Sequence, residues 1–126
     1  MMKQHNTVLY AIGDVHGEAD RLRALHAHIL DKHTKRFPDK RIKIIHLGDY
    51  IDRGPDSFEV IEAIMKLQAR NDVECICLLG NHEEMLLNAI NQTHYNARDN
   101  WLENGGQQTL ASYSRNGHAD LSLIHI

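Results

Sequence analysis

Three short apolar runs in this chain each end at a glycine that is followed by an acidic or amide residue. The junctions read GDVHG at 13–17, GDYIDRG at 48–54 and GNHE at 80–83. The runs are rich in β-branched and aliphatic residues, which predicts three buried strands that each enter a polar loop. Between the runs, apolar residues recur at three- and four-residue steps, which predicts amphipathic helices. This alternation favours an α/β fold.

The predicted elements follow one another in a regular order. We expect strands at 7–12, 41–47 and 73–79, and helices at about 18–33, from 56 or 57 to about 67, at 83–90 and at 107–113. Asp56 or Ser57 can cap the second helix, and Asn104-Gly105-Gly106 predicts a turn. Such an order favours right-handed βαβ crossovers and a largely parallel sheet covered on both faces. The carboxyl ends of the strands then meet at one edge, where ligands bind in sheets of this kind.

The composition is that of one small domain without a strongly charged surface. The chain has 126 residues, 42% hydrophobic residues and a formal net charge of −3, and its charges form no long block of one sign. We therefore expect neither nucleic acid nor an anionic membrane as a partner. The apolar runs are too short for a membrane span, and residues 1–6 lack the apolar core of a secretion signal. We expect a cytoplasmic protein.

The three junctions carry the ligand types of a dinuclear metal site. Two-metal hydrolysis of phosphoesters uses cations held about 3.5–4 Å apart, and carboxylates and imidazoles are suitable ligands. Asp14 and His16, two residues apart in an extended turn, can bind one cation. Asp49 has two carboxylate oxygens and can bridge both cations. Asn81 offers an amide oxygen to the second cation.

The same junctions supply groups for proton transfer and for phosphate binding. The side chain of His82 diverges from that of Asn81, so we expect His82 to be the general acid for the leaving alkoxide. Asp52 is the candidate carboxylate that orients His82. Arg53 presents a planar fork of donors that suits a phosphate group. A single junction of this kind is often an ordinary turn, but three at one edge of a sheet predict a catalytic site.

The two cysteines and the tryptophan are expected to be structural. Cys75 and Cys77 lie two apart on one face of the third strand, and we interpret them as small buried apolar side chains. Two thiols without further partners make a weak zinc site. Trp101 and Leu102 are expected to pack their segment onto the domain.

The remaining histidines are expected to lie outside the site. His26, His28 and His33 are on or near the first helix at spacings of two and five, which predicts solvent-exposed side chains. His46 is three residues before Asp49, and we expect it to pack within its strand. No local pattern involves His5, His94, His118 or His125.

Together the three motifs closely resemble the signature of the calcineurin-like metallophosphoesterases, and within them the bacterial serine/threonine phosphoprotein phosphatases. The resemblance covers about residues 8–87, and the later segment WLENGG at 101–106 is similar to bacterial members. It implies a four-layered α/β/β/α sandwich with two divalent cations, most often manganese, with iron or zinc as alternatives, and attack by a metal-bridging hydroxide. The implied roles are Asp14 and His16 for the first metal, Asp49 as bridge, Asn81 for the second metal, His82 as proton donor paired with Asp52, and Arg53 on the substrate phosphate.

The resemblance implies a phosphoprotein or another phosphoester as the substrate. Related symmetrical diadenosine tetraphosphatases usually have alanine at the position of Asp52, so this aspartate favours a serine/threonine phosphatase. A diadenosine tetraphosphatase or another nucleotide phosphohydrolase is the alternative. A non-catalytic scaffold of the same fold is the alternative from a different class, and the presence of the whole site set argues against it.

The chain carries about half of the family's pattern. The second half of the family supplies further histidine ligands and another phosphate-binding arginine, and no matching segment follows Glu83. We therefore interpret residues 1–120 as a partial phosphoesterase domain, the N-terminal half of the sandwich, that is weak or inactive by itself. Residues 121–126 resemble a translated sequencing adapter, and we expect them to be a non-native tail.

Overall fold

A three-stranded parallel sheet forms the centre of the molecule. The computed structural model describes residues 6–118. The strands are β1 (Thr7–Ile12), β2 (Arg41–His46) and β3 (Val73–Cys77), and they lie in the order β1-β2-β3. Thr7 pairs with Arg41, and Ile42 pairs with Val73. The predicted α/β fold with a parallel sheet and βαβ crossovers is confirmed.

Helices connect the strands and extend beyond the sheet. They are α1 (Ala19–Arg36), α2 (Ser57–Gln68), α3 (Asn81–Asn91), α4 (Ala97–Trp101) and α5 (Gln107–Arg115), with a π-helical turn at Leu102–Gly106 between the last two. The chain kinks inside that turn, where Gly105 has a φ of 105°, as the glycine pair predicts. None of the helices between residues 6 and 118 combines the length and the apolar character that crossing a bilayer requires.

One predicted cap is wrong. Asp56 occupies the N-cap position of α2, but its side chain makes no capping hydrogen bond. Arg115 Nη2 lies 3.4 Å from Asp56 Oδ1, so the carboxylate faces α5 instead of the first turn of its own helix.

Both α1 and α2 pack on the same face of the sheet. Ile12, Ile42 and Ile44 lie on this face and are buried. Leu22 of α1 and Val60 of α2 belong to the same buried cluster. Apolar burial of this kind contributes about 1.5–3 kcal/mol for each large side chain, and it fixes the helices against the strands.

The opposite face of the sheet is open among residues 6–118. Leu9 is 56% exposed, Ala11 and Glu74 are exposed, and Ile45 is half-buried. The expectation that the sheet is covered on both faces is therefore wrong for this part of the chain. The reason is topological, because both crossover helices lie on the same side.

Two histidines predicted to be exposed are buried. His26 and His33 are each 7% exposed, whereas His28 is exposed as expected. His26 and His33 are seven residues apart, which is about two helical turns and places them on one face. That spacing was the signal in the sequence that the two histidines share one face of the helix. Burial, followed by the neighbouring His46, lowers the pKa of His26 to about 4, so its imidazole is neutral at pH 7.

Candidate metal and phosphate site

The three glycine junctions meet at the carboxyl edge of the sheet. The backbone N–H groups of Val15 and His16 donate to the carbonyl oxygen of Asp49 at 3.0 and 2.9 Å. Gly54 N–H donates to the carbonyl oxygen of His16 at 3.1 Å. A Cβ atom on Gly17 would lie 2.7 Å from the carbonyl carbon of Gly54, so a glycine is required for this approach. The first two loops are thereby joined through their backbones.

Three of the predicted metal ligands form one cluster. Donor atoms of Asp14, His16 and Asp49 all lie within 4.8 Å of one another. His16 Nδ1 is 2.9 Å from the carbonyl oxygen of Ile51, which can only accept a hydrogen bond. Nδ1 therefore carries the proton, and the lone pair on Nε2 is available to a cation. Two carboxylates and one imidazole suit a divalent transition metal.

Asn81 joins this cluster through Asp49. With its amide oriented to satisfy its hydrogen bonds, the Asn81 nitrogen donates to the two carboxylate oxygens of Asp49 at 3.0 and 2.9 Å. The backbone N–H of His82 donates to Asp49 Oδ1 at 2.9 Å. The third junction thus orients the Asp49 carboxylate, and ligation of a second cation by Asn81 stays a prediction.

His82 and Asp52 form a buried pair beside the cluster. His82 Nδ1 lies 2.8 Å from Asp52 Oδ2, and the two side chains are 4% and 0% exposed. The carboxylate accepts, so Nδ1 carries the proton. The His82 ring packs edge-on against the His16 ring with their centroids 4.6 Å apart. This contact places the pair next to the candidate metal ligands.

Two residues that support Asp52 had no predicted role in the site. Trp101 Nε1 donates to Asp52 Oδ1 and Oδ2 at 3.0 and 2.9 Å, and Thr109 Oγ1 donates to Oδ1 at 2.6 Å. Trp101 is fully buried, so it packs its segment as expected and also binds the carboxylate. A buried indole N–H needs a hydrogen-bond acceptor. This requirement was the signal in the sequence that Trp101 binds a polar group. Together with His82, these donors satisfy a carboxylate that burial would otherwise destabilise.

Glu83 is a further residue whose role the motif did not indicate. It is fully buried, and its carboxylate accepts from the backbone N–H groups of Asp49 at 2.7 Å, Tyr50 at 2.9 Å and Gly80 at 2.9 Å. A weaker fourth contact at 3.4 Å comes from Ile51. One anion therefore holds the second and third junctions together. Its position at the third residue of α3, after a glycine N-cap, is half of a capping box.

The backbone of the site adopts conformations that side chains disfavour. His16, Asp49, Asp52 and Arg53 have φ values of 43°, 58°, 76° and 72°, in the left-handed region. These residues make up four of the five non-glycine positive-φ residues between 6 and 118. Such conformations persist where the surrounding contacts enforce them, and they concentrate at functional sites.

Arg53 lies on the exposed side of the site. It is exposed, and its backbone N–H donates to the carbonyl oxygen of Gly105 at 3.1 Å. A Cβ atom on Gly105 would lie 2.7 Å from Arg53 Cγ, so the glycine allows the turn to approach the arginine. The turn between α4 and α5 therefore positions the backbone from which this guanidinium extends.

Several known proteins are similar in sequence to this chain. A model of the calcineurin-like phosphoesterase family matches residues 7–125. The symmetrical bis(5'-nucleosyl)-tetraphosphatase of Buchnera aphidicola subsp. Acyrthosiphon pisum (strain Tuc7) is 34% identical over 103 residues, 82% of this chain and 32% of that protein. Serine/threonine-protein phosphatase 2 of Escherichia coli (strain K12) is 32% identical over 102 residues, 81% of this chain and 40% of that protein.

A eukaryotic relative is also similar. Serine/threonine-protein phosphatase PP1-1 of Saccharomyces cerevisiae is 30% identical over 107 residues, 85% of this chain and 31% of that protein. The chain thus spans between 31% and 40% of the length of these three curated relatives. The three-stranded sheet with its helices is consistent with the N-terminal half of a metallophosphoesterase fold, and the chain belongs to the calcineurin-like phosphoesterase family.

Proposed function

We propose that the intact protein is a metal-dependent serine/threonine protein phosphatase. The observation that carries the proposal is the buried His82–Asp52 pair, which lies against the cluster of Asp14, His16 and Asp49. A proton donor oriented by a carboxylate and a set of hard metal ligands are both needed for metal-assisted cleavage of a phosphoester. Manganese is the first candidate metal, with iron and zinc as alternatives.

The metal ligands have defined roles in this proposal. Asp14 and His16 would hold one cation, Asp49 would be shared with a second, and Asn81 would hold the second through its amide oxygen. Bound there, two divalent cations would polarise the phosphoryl group and lower the pKa of water. The hydrogen bonds of Glu83 to the Asp49 loop keep this carboxylate in position.

His82 delivers a proton to the leaving oxygen in this proposal. Its Nδ1 proton is held by Asp52, so the proton that is transferred comes from Nε2. The buried negative charge of Asp52 stabilises the imidazolium that precedes the transfer. Arg53, exposed beside the site, binds the substrate phosphate through its guanidinium.

Asp52 favours phosphoprotein as the substrate class. The similar proteins include both protein phosphatases and symmetrical tetraphosphatases at nearly equal identity, so overall similarity does not choose between them. The resemblance implies that the tetraphosphatases usually have alanine at this position. In this chain Asp52 accepts hydrogen bonds from His82, Trp101 and Thr109. Diadenosine tetraphosphate hydrolysis is the second candidate, supported by the 34% identity to the Buchnera protein.

Hydrolysis of p-nitrophenyl phosphate by the intact protein tests the proposal. With added Mn²⁺ we expect turnover, and Asp49→Asn should lower kcat/KM at least about 1,000-fold, because transition-state charge stabilisation worth several kcal/mol is lost. His82→Asn should lower kcat about 100- to 10,000-fold, the range of general acid catalysis. Asp39→Asn, on an exposed loop residue, is the matched control and should leave both values unchanged.

Two outcomes would contradict the proposal at different levels. An intact protein that binds no metal and is insensitive to Asp49→Asn would be a scaffold, and the hypothesis that it is an enzyme would fail. Preference for diadenosine tetraphosphate over a phosphoserine peptide would keep the chemistry and reject the phosphatase. The chain of 126 residues by itself should be weak or inactive, because among residues 6–118 the proposed second cation has only Asp49 and Asn81 as ligands.

A further inference from the structure

A second group of metal-ligating side chains lies on the helix-covered face of the sheet. In the parallel register of β2 and β3, His46 pairs with Cys77 and Ile44 pairs with Cys75. Paired residues of neighbouring strands point to the same face, and residues two apart along a strand do so as well. The register therefore brings one imidazole and two thiols together, independently of side-chain rotamers.

The distances within this group match the edges of a tetrahedral zinc site. His46 Nδ1 lies 3.6 Å from Cys75 Sγ and 3.9 Å from Cys77 Sγ, and the three atoms lie within 4.8 Å of one another. Zn–S and Zn–N bonds of about 2.3 and 2.0 Å at the tetrahedral angle would place N and S about 3.5 Å apart. A small contraction of the group is enough to ligate a cation.

His26 holds the His46 ring in the orientation that a metal ligand needs. The Nε2 atoms of His26 and His46 are 2.9 Å apart, so one of the two carries the proton between them. With its own proton on Nδ1, the His26 ring accepts that proton's hydrogen bond through its Nε2. His46 then donates from Nε2, and its Nδ1 lone pair faces the thiols. A partner that fixes the tautomer in this way is typical of histidine ligands.

The two thiols lie nearer to solvent than the imidazole does. His46 is fully buried, whereas Cys75 and Cys77 are half-buried. The amide nitrogen of Gln68, on α2, lies 3.4 Å from Cys77 Sγ at the exposed side. A water molecule reaching the ion from this more exposed side would supply the fourth ligand.

We propose that His46, Cys75 and Cys77 bind one Zn²⁺ ion. The site is distinct from the phosphoesterase cluster, since it shares no residue with Asp14, His16 and Asp49. Thiolates and imidazole are the ligands that zinc prefers, whereas the phosphoesterase cluster is dominated by carboxylates. The ion joins β2 to β3 on the face that α1 and α2 cover, and it stabilises the fold. This inference does not depend on the proposed function.

Cobalt substitution tests this site by a spectroscopic signature. The reduced chain titrated with Co²⁺ should show thiolate-to-cobalt charge-transfer absorption whose amplitude at saturation is that of one bound ion, and Zn²⁺ should abolish it by displacement. Cys75→Ser and Cys77→Ser should each weaken Zn²⁺ binding at least about 100-fold, and His26→Gln, which removes only the partner of a ligand, about 10- to 100-fold. Asp49→Asn is the matched control and should retain the full absorption.

Stability gives a second measurement on the same variants. In the Asp49→Asn background, Zn²⁺ should raise the thermal unfolding midpoint, and adding Cys77→Ser, whose fold is checked by circular dichroism, should remove most of that increase. Absence of charge-transfer absorption in the wild-type chain would overturn the proposal. So would absorption that persists unchanged in both serine variants, or that is lost in Asp49→Asn.

Discussion

At the scale of single residues, the site depends on two buried carboxylates that do not bind metal. Asp52 accepts from three side chains, and Glu83 accepts from the backbone of two loops. Each desolvated charge is stabilised only because its donors are already in place. The geometry of the catalytic groups is therefore coupled directly to stability.

Replacing Glu83 by glutamine should destabilise the fold strongly. Glutamine has one acceptor oxygen. Its amide NH₂ group would face backbone N–H groups that now donate to the carboxylate. We expect a loss of about 2–4 kcal/mol in the free energy of unfolding, measured by urea titration. Glu84→Gln, at the exposed neighbouring position, is the matched control and should change stability by less than about 0.5 kcal/mol. Equal effects of the two variants would contradict the role of Glu83.

At the scale of elements, the segment from α4 to α5 acts as a support for the acid–base pair. It supplies Trp101 and Thr109 to Asp52, and the Gly105 carbonyl oxygen in its turn accepts from the backbone N–H of Arg53. Ser112 Oγ accepts from the backbone N–H of Phe58 at 3.0 Å, which attaches α5 to the start of α2. The whole segment docks against the loop that carries the site.

A methyl group at Gly106 should disrupt this support. A Cβ atom there would lie 2.5 Å from two ring carbons of Trp101, so the indole must move away from Asp52. Gly106→Ala should cost about 1–3 kcal/mol, the range for overpacking, and should alter tryptophan fluorescence. Gly13→Ala is the control, because a Cβ atom there meets nothing within 4 Å. An unchanged emission spectrum in Gly106→Ala would contradict the prediction.

The docking of α5 should weaken in alkaline solution. Tyr113 packs edge-on against Phe58 with ring centroids 5.2 Å apart, and burial, followed by Glu62 and Glu59, raises its pKa to about 12. The unfolded chain loses the phenolic proton near pH 10, whereas the folded chain keeps it to about pH 12. The contribution of Tyr113 to stability is therefore complete below pH 10 and is lost between pH 10 and 12.

Comparison with Tyr113→Phe isolates this effect. Phenylalanine keeps the ring and removes the titration, so lysine deprotonation and other alkaline effects stay common to both proteins. Between pH 10 and 12 the wild-type chain should lose about 1–2 kcal/mol more than the variant. Parallel pH profiles from urea titration would show that the phenol is not responsible.

The sheet and the contacts between the motifs could be predicted because they depend on local patterns in the sequence. Strand periodicity and glycine junctions are short-range signals, and parallel strands necessarily bring their carboxyl ends together. The support from Trp101 and Thr109 was not predicted, because those residues are 49 and 57 positions away from Asp52. The seven-residue spacing of His26 and His33 indicates that they share a helix face, but it does not show that this face is the buried one. The contact that buries His26 comes from His46 on the sheet.

At the scale of the whole molecule, the sheet has one covered face and one that residues 6–118 leave open. Leu9 is 56% exposed and Leu47 is 50% exposed, and Lys43 Nζ pairs with Glu74 at 3.2 Å on the open side. Exposed apolar residues on a sheet favour association with other apolar surfaces. The chain by itself should therefore self-associate through this face.

A charge at Leu9 should reduce that association. In sedimentation velocity, the wild-type chain is expected to show oligomers that increase with concentration, and Leu9→Lys should shift the distribution toward monomer. Met65→Lys is the matched control, because Met65 is similarly exposed, at 49%, but lies on α2. Oligomers unaffected by Leu9→Lys, or equally reduced by Met65→Lys, would contradict association through the open face.

The long separation between Asp52 and its donors also sets an order of folding events. Pairing of the strands joins Thr7 to Arg41 and Ile42 to Val73, which closes loops of 34 and 31 residues, whereas the hydrogen bond from Thr109 closes a loop of 57 residues. Closing the longer loop costs somewhat more entropy, so the contacts of Thr109 tend to follow strand pairing. Mutations in Ile44 should then slow refolding, whereas Thr109→Ser should mainly accelerate unfolding. The catalytic pair would be the last part of this chain to acquire its native environment and the first to lose it.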